Sequence, residues 1–91
     1  LANRTSTSAN SNSRLVGKHC ETGDIVISEI DLPADIAPTD LIAVPATGAY
    51  GRSMASNYNH VPKPPVIAVK DGKARVIVRR ETEADLLNLD I

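Results

Sequence analysis

The chain has 91 residues, a formal net charge of −1 from ten basic and eleven acidic side chains, and 2% aromatic residues with neither Trp nor Phe. With the bases scattered apart from Arg79-Arg80 and no aromatic stacking platform, a nucleic-acid or membrane-surface role driven by charge is excluded. No apolar run approaches ~18 residues, the start carries no basic-then-apolar signal, and a lone cysteine forms no internal disulfide, so a reduced, cytoplasmic protein is expected.

Residues 1–13 are rich in Ser, Thr and Asn with a single Arg4. Such a stretch has little apolar surface to offset its ordering entropy and is expected to be a mobile polar arm. The domain proper is expected at 14–91, near the size where a lone core is only marginally stable. That core has to be built from Val, Ile, Leu and Ala, so a covering partner surface would help it.

From Arg14 onward the pattern predicts short β-segments between turns. Strands are expected over 14–18 and, on β-branched content, over 25–30. Between them lies His19-Cys20-Glu21-Thr22-Gly23-Asp24, which places the only thiol next to a carboxylate in a turn-forming setting. Asp31-Leu32-Pro33-Ala34-Asp35 and Ala37-Pro38-Thr39-Asp40 read as loops, and the continuous apolar run Leu41-Ile42-Ala43-Val44 as a strand covered on both faces. Pro45 ends it. Small residues then dominate from Ala46 to Asn59, with a short helix expected over 52–56, and Pro62-Lys63-Pro64-Pro65 is irregular surface.

The clearest local signal is Asp71-Gly72 between Val66-Ile67-Ala68-Val69 and the segment 74–79, a hairpin whose two turn positions want positive φ. In the second strand Val76 and Val78 share one face, and Arg75, Ile77 and Arg79 the other. Thr82 is placed to cap a terminal helix carrying Leu86, Leu87 and Leu89, with Glu83 and Asp85 in its first turn. The expected fold is mainly β, a sandwich or barrel-like domain with a short helix near the middle and a C-terminal helix.

Several motifs occur in one order: Val16-Gly17, Cys20-Glu21-Thr22-Gly23-Asp24, Asp40-Leu41-Ile42-Ala43-Val44, Thr47-Gly48-Ala49-Tyr50-Gly51, Met54-Ala55-Ser56-Asn57-Tyr58-Asn59 and Arg79-Arg80-Glu81-Thr82. Together they resemble the C-terminal region of the diaminopimelate decarboxylase family, pyridoxal-phosphate enzymes of the alanine-racemase-like class. The resemblance implies a C-terminal β-domain that completes the site of an N-terminal (β/α)8 barrel absent from this chain. It implies pyridoxal 5'-phosphate anchored on a barrel lysine, a homodimer with the site shared across its interface, and conversion of meso-2,6-diaminopimelate to L-lysine and carbon dioxide. The 91 residues alone are then expected to be inactive.

By this resemblance Cys20 is the catalytic proton donor, returning a proton to the α-carbon after carbon dioxide leaves. A thiol is mostly protonated at neutral pH and is a usable acid. Its bland alternative is a small buried hydrophobe, the usual fate of a free cysteine. Glu21 is the substrate-binding candidate, since a carboxylate gives a distal ammonium a charge-assisted hydrogen bond; the alternative is a solvated acid. Tyr50 is the candidate contact to cofactor phosphate and substrate through its phenol, against an ordinary half-buried tyrosine.

Asp24 is expected to shape the turn, Tyr58 to be structural, and His19 and His60 to be ordinary polar positions with no metal-ligand companions. After Asn59 the family has x-Arg-Pro-Arg-Pro where this chain has His60-Val61-Pro62-Lys63-Pro64, a loss of planar bidentate groups. Two rivals remain: a β-domain of an ornithine, arginine or carboxynorspermidine-type decarboxylase, and a non-catalytic dimerisation module.

Overall fold

A computed structural model describes residues 1–91 and divides them into two compact units, Leu1–Ala46 and Thr47–Ile91. The fold is mainly β, as expected, with two short helices. The strands form two two-stranded antiparallel sheets, one in each unit.

In the first unit β1 (Asn10–Val16) pairs with β2 (Ile25–Pro33). The pairing runs Ser13↔Ile30, Leu15↔Ile27, Val16↔Ile25, so β2 twice spends one residue more than β1. These bulges rephase the strand: Ile27 and Ile30 are both half-buried although three residues apart, a spacing that regular alternation would send to opposite faces.

β1 starts at Asn10, so the expected boundary at residue 13 is corrected. The residues before it are also tied down. Ala2 N–H donates to Leu41 O at 2.7 Å, and Leu41 N–H donates to Asn3 Oδ1 at 2.9 Å. Arg4 grips Asp40 through Nε (2.8 Å) and Nη2 (2.7 Å) and reaches Asp35 Oδ2 at 3.2 Å. Composition understated this segment because its order comes from bonds to residues more than thirty positions away. The clamp closes a tight loop in which Thr39, a β-branched residue, sits at φ +87°. The strand expected over 41–44 does not form; Leu41 is 61% exposed and joins the clamp through its main chain instead.

In the second unit α1 (Gly48–Ser53) lies four residues earlier than the helix expected at 52–56, and a 3-10 turn follows at Tyr58–His60. The hairpin of β3 (Val66–Lys70) and β4 (Lys73–Val78) matches the expectation, closed by Lys70↔Lys73 with Asp71 at φ +51° and Gly72 at +70°. α2 (Glu83–Leu86) is a single turn, capped as expected at Thr82. The box is reciprocal: Thr82 Oγ1 accepts from Asp85 N–H, and Asp85 Oδ2 accepts from Thr82 N–H at 2.7 Å. Leu89 falls beyond the helix and is 91% exposed.

No side chain of the chain is fully buried, apolar or polar. The half-buried aliphatic residues lie both in the strands, as at Leu15, Ile27, Ile30, Val66 and Val78, and outside them, as at Ile36, Val44, Val61 and Leu86.

Candidate functional site

The loop joining β1 to β2 carries the thiol. Strand pairing ends at Val16↔Ile25 and is continued by Gly17 N–H donating to Asp24 O at 2.9 Å, so residues 18–23 form the tip. Within the tip Glu21 N–H donates to His19 O at 2.8 Å, a tight turn with Cys20 at its centre, and Asp24 N–H donates to Glu21 O at 3.2 Å. Cys20 and Glu21 are thus adjacent on an exposed turn. The thiol is not a buried hydrophobe in this chain.

Asp24 does shape the turn, as expected from its type. Its Oδ2 accepts the main-chain N–H of His19 at 2.9 Å and lies 3.0 Å from His19 Nδ1. A Cβ at position 17 would overlap the Asp24 carboxylate, so glycine there leaves the room in which that carboxylate sits. His19, expected to be ordinary, is half-buried and held by this carboxylate. The sequence signal that could have shown it is the five-residue separation across a turn, which brings a histidine and an aspartate to the two ends of one hairpin loop.

Tyr50 belongs to the second unit, in the first turn of α1, where its ring is 77% exposed. The positions a Cβ would take on Gly48 and Gly51 meet nothing within 4 Å, so neither glycine is required by a close contact within this chain. Tyr58 lies in the 3-10 turn. Beside it Asn57 Nδ2 donates to Glu81 Oε2 at 2.7 Å, the same oxygen that accepts Lys63 N–H at 2.8 Å, and Glu81 N–H donates to Lys63 O at 3.1 Å. The Asn57 and Glu81 motifs, separated by 24 residues, are thereby one structural clip over the proline loop. Arg79 makes a fork with Asp85, Nη1 to Oδ2 and Nη2 to Oδ1, each at 2.6 Å.

The charged groups shifted from their ordinary values all belong to these supports. The Arg4 guanidinium, aided by Ala37 N–H, holds the Asp40 carboxyl well below the usual carboxylate range, and Ser6 and Arg4 lower Asp35. Arg79 and then Thr82 depress Asp85, while Lys63 N–H and Asn57 lower Glu81. A hollow of about 360 Å³ in the second unit is lined by His60, Glu83, Leu86, Leu87 and Asp90, none of them a predicted site residue. No group of three or more His, Cys, Asp and Glu is arranged to hold a metal ion, and no helix is long and apolar enough to cross a membrane.

Against known families, the C-terminal sheet domain of the pyridoxal-dependent decarboxylases matches residues 2–48. The chain belongs to that family. The matched span includes β1, the Cys20 loop, β2 and the Arg4 clamp, so residues 2–13 are part of the sheet domain.

Similar proteins include the diaminopimelate decarboxylase of Actinosynnema pretiosum subsp. auranticum, 56% identical over 77 residues, which cover 85% of this chain and 18% of that protein. The diaminopimelate decarboxylase of Mycobacterium leprae (strain TN) is 50% identical over all 91 residues, 100% of this chain and 19% of that protein. That of Bacillus subtilis (strain 168) is 47% identical over 90 residues, 99% of this chain and 20% of that protein. The chain spans about a fifth of the length of these relatives.

Proposed function

We propose that this chain is the C-terminal sheet part of a diaminopimelate decarboxylase, which converts meso-2,6-diaminopimelate to L-lysine and carbon dioxide. The observation that carries this reading is identity of 47–56% with proteins of that name across 85–100% of the chain. The rival substrates ornithine, arginine and carboxynorspermidine have no such support among these relatives.

Pyridoxal phosphate, when bound, supplies the electron sink for loss of the carboxylate. The donor set in this chain suits one edge of that group: Tyr50 offers a single exposed phenolic hydrogen bond to a phosphate oxygen. Of the four lysines, Lys70 and Lys73 close the hairpin turn, Lys63 lies in the proline loop, and Lys18 opens the tip that carries Cys20. The anchoring amine comes from the barrel, and with it most of the binding.

Cys20 holds a proton at Sγ on an exposed turn and delivers it to the substrate α-carbon, across the interface of a homodimer. Glu21, on the same turn, accepts hydrogen bonds from the ammonium at the distal end of the substrate. A cytoplasmic location keeps the thiol reduced.

The test is turnover by the full-length protein with pyridoxal phosphate and a panel of meso-diaminopimelate, ornithine and arginine. Release of carbon dioxide from diaminopimelate alone is expected. Preference for another substrate would overturn the assignment, and unchanged turnover of Cys20→Ala would leave this chain a dimerisation module.

A further inference from the structure

The thiol of Cys20 stands on a turn whose two flanks are both fastened to one residue. His19, before it, gives its main-chain N–H to Asp24 Oδ2 at 2.9 Å and sets its imidazole Nδ1 3.0 Å from the same oxygen. Glu21, after it, accepts Asp24 N–H at 3.2 Å, and His19 and Glu21 are bonded to each other around the cysteine at 2.8 Å. The third fastening is Asp24 O, which accepts Gly17 N–H at 2.9 Å and ties the tip to the end of β1.

We infer that Asp24 is a positioning residue for Cys20: its carboxylate, seated in space that Gly17 leaves open, fixes the turn from which the thiol and the Glu21 carboxylate project. This rests on the proposed acid role of Cys20, and it deepens that reading by naming what holds the acid in place. The physical need is clear from the chemistry. A proton moves to carbon only when donor and acceptor are aligned at near-contact distance, and a misplacement of about 1 Å can cost ~10²-fold in rate. An exposed six-residue tip without buried side chains does not supply that alignment by packing. One carboxylate oxygen shared between a main-chain N–H and an imidazole does.

The experiment uses the full-length protein, with kcat and KM for diaminopimelate and the rate of iodoacetamide alkylation at Cys20, followed by peptide mass spectrometry. Asp24→Ala is expected to lower kcat ~10²-fold with KM changed by less than about threefold. It is also expected to change the Cys20 alkylation rate. Asp24→Asn keeps one acceptor for His19 N–H and should recover part of both. Gly17→Ala should reproduce Asp24→Ala while leaving the carboxylate in the chain, because its methyl displaces that group from its seat.

The reading that separates positioning from general damage is the double variant: with Cys20→Ala already present, Asp24→Ala should cost little further. Losses that multiply, or alkylation and kcat both unchanged in Asp24→Ala, would overturn the inference, as would loss of the dimer in that variant. Should Asp24→Ala fail to fold, Gly17→Ala and Asp24→Asn carry the same comparison. If Cys20→Ala alone leaves turnover intact, the acid role falls, and the alkylation rates still decide whether Asp24 holds the loop.

Discussion

The two units, Leu1–Ala46 and Thr47–Ile91, each hold one antiparallel strand pair but are built by opposite means. In the second, a two-residue turn with both φ angles positive sets the register from Lys70↔Lys73 to Val69↔Ala74, Ala68↔Arg75 and Ile67↔Val76, with one shift beyond it at Val66. In the first, β1 and β2 are separated by a loop of functional residues and shifted by two bulges, and the polar segment before β1 is fastened by Arg4 to acids 31 and 36 positions away. That hairpin departs from simple alternation once, between Val66 and Ile67 at the end far from its turn, and carries no candidate catalytic residue. The irregular pair presents the thiol. Bulges bend and twist a strand pair and re-aim its ends, and the price of that freedom is a set of long-range charge contacts.

The comparison breaks first at the chemistry. Cys20→Ala in the full-length protein should lower kcat by ~10²–10⁴-fold, the usual contribution of a positioned proton donor. Tyr50→Phe, in the other unit, removes one hydrogen bond and should weaken apparent pyridoxal phosphate affinity by about tenfold or less, read by titrating the apoprotein. Equal effects from the two substitutions would erase the division of labour between the units.

Stability variants sharpen the same contrast by hydrogen exchange on the full-length protein. Gly72→Ala forces a side chain into φ +70° and should destabilise the hairpin by about 1 kcal/mol, speeding exchange in β3 and β4 by ~5-fold while β1 and β2 keep theirs. Arg4→Ala should instead speed exchange over 35–41 and spare the hairpin, and Arg4→Lys should restore little, because an ammonium cannot fork onto Asp40.

The smallest effect is the pH response, which should be shared. Asp35, Asp40, Glu81 and Asp85 all have folded pKa values below their unfolded ones. Their contribution is therefore present above about pH 4 and lost as pH falls through the folded values. Exchange over 35–41 and around α2 should quicken together in acid, and added salt should mute the Arg4 and Arg79 pairs, which keep contact with solvent.

What could be read from the sequence follows the range of the interaction. Asp71-Gly72 and the Thr82–Asp85 box act over two and three residues, and both were legible. The Cys20–Glu21 turn was legible as a turn because Thr-Gly-Asp chemistry is local. The Arg4 clamp and the Asn57–Glu81 clip act over 36 and 24 residues and leave no local trace. The same limit explains the misplaced boundary at residue 13 and the unformed strand over 41–44, whose apolar run describes what it would pack against rather than its own pairing. The His19–Asp24 contact lies between these cases. It spans only five residues, yet finding it requires knowing that Gly17 leaves room for the carboxylate.

The lack of any fully enclosed side chain has a calorimetric consequence. Heat capacity on unfolding and sensitivity to urea both scale with the surface newly wetted. Purified by themselves, these 91 residues should therefore melt over a broad temperature range with a shallow urea slope. Steep transitions should appear only when a covering surface supplies neighbours for Val69, Val76, Leu87 and Leu89.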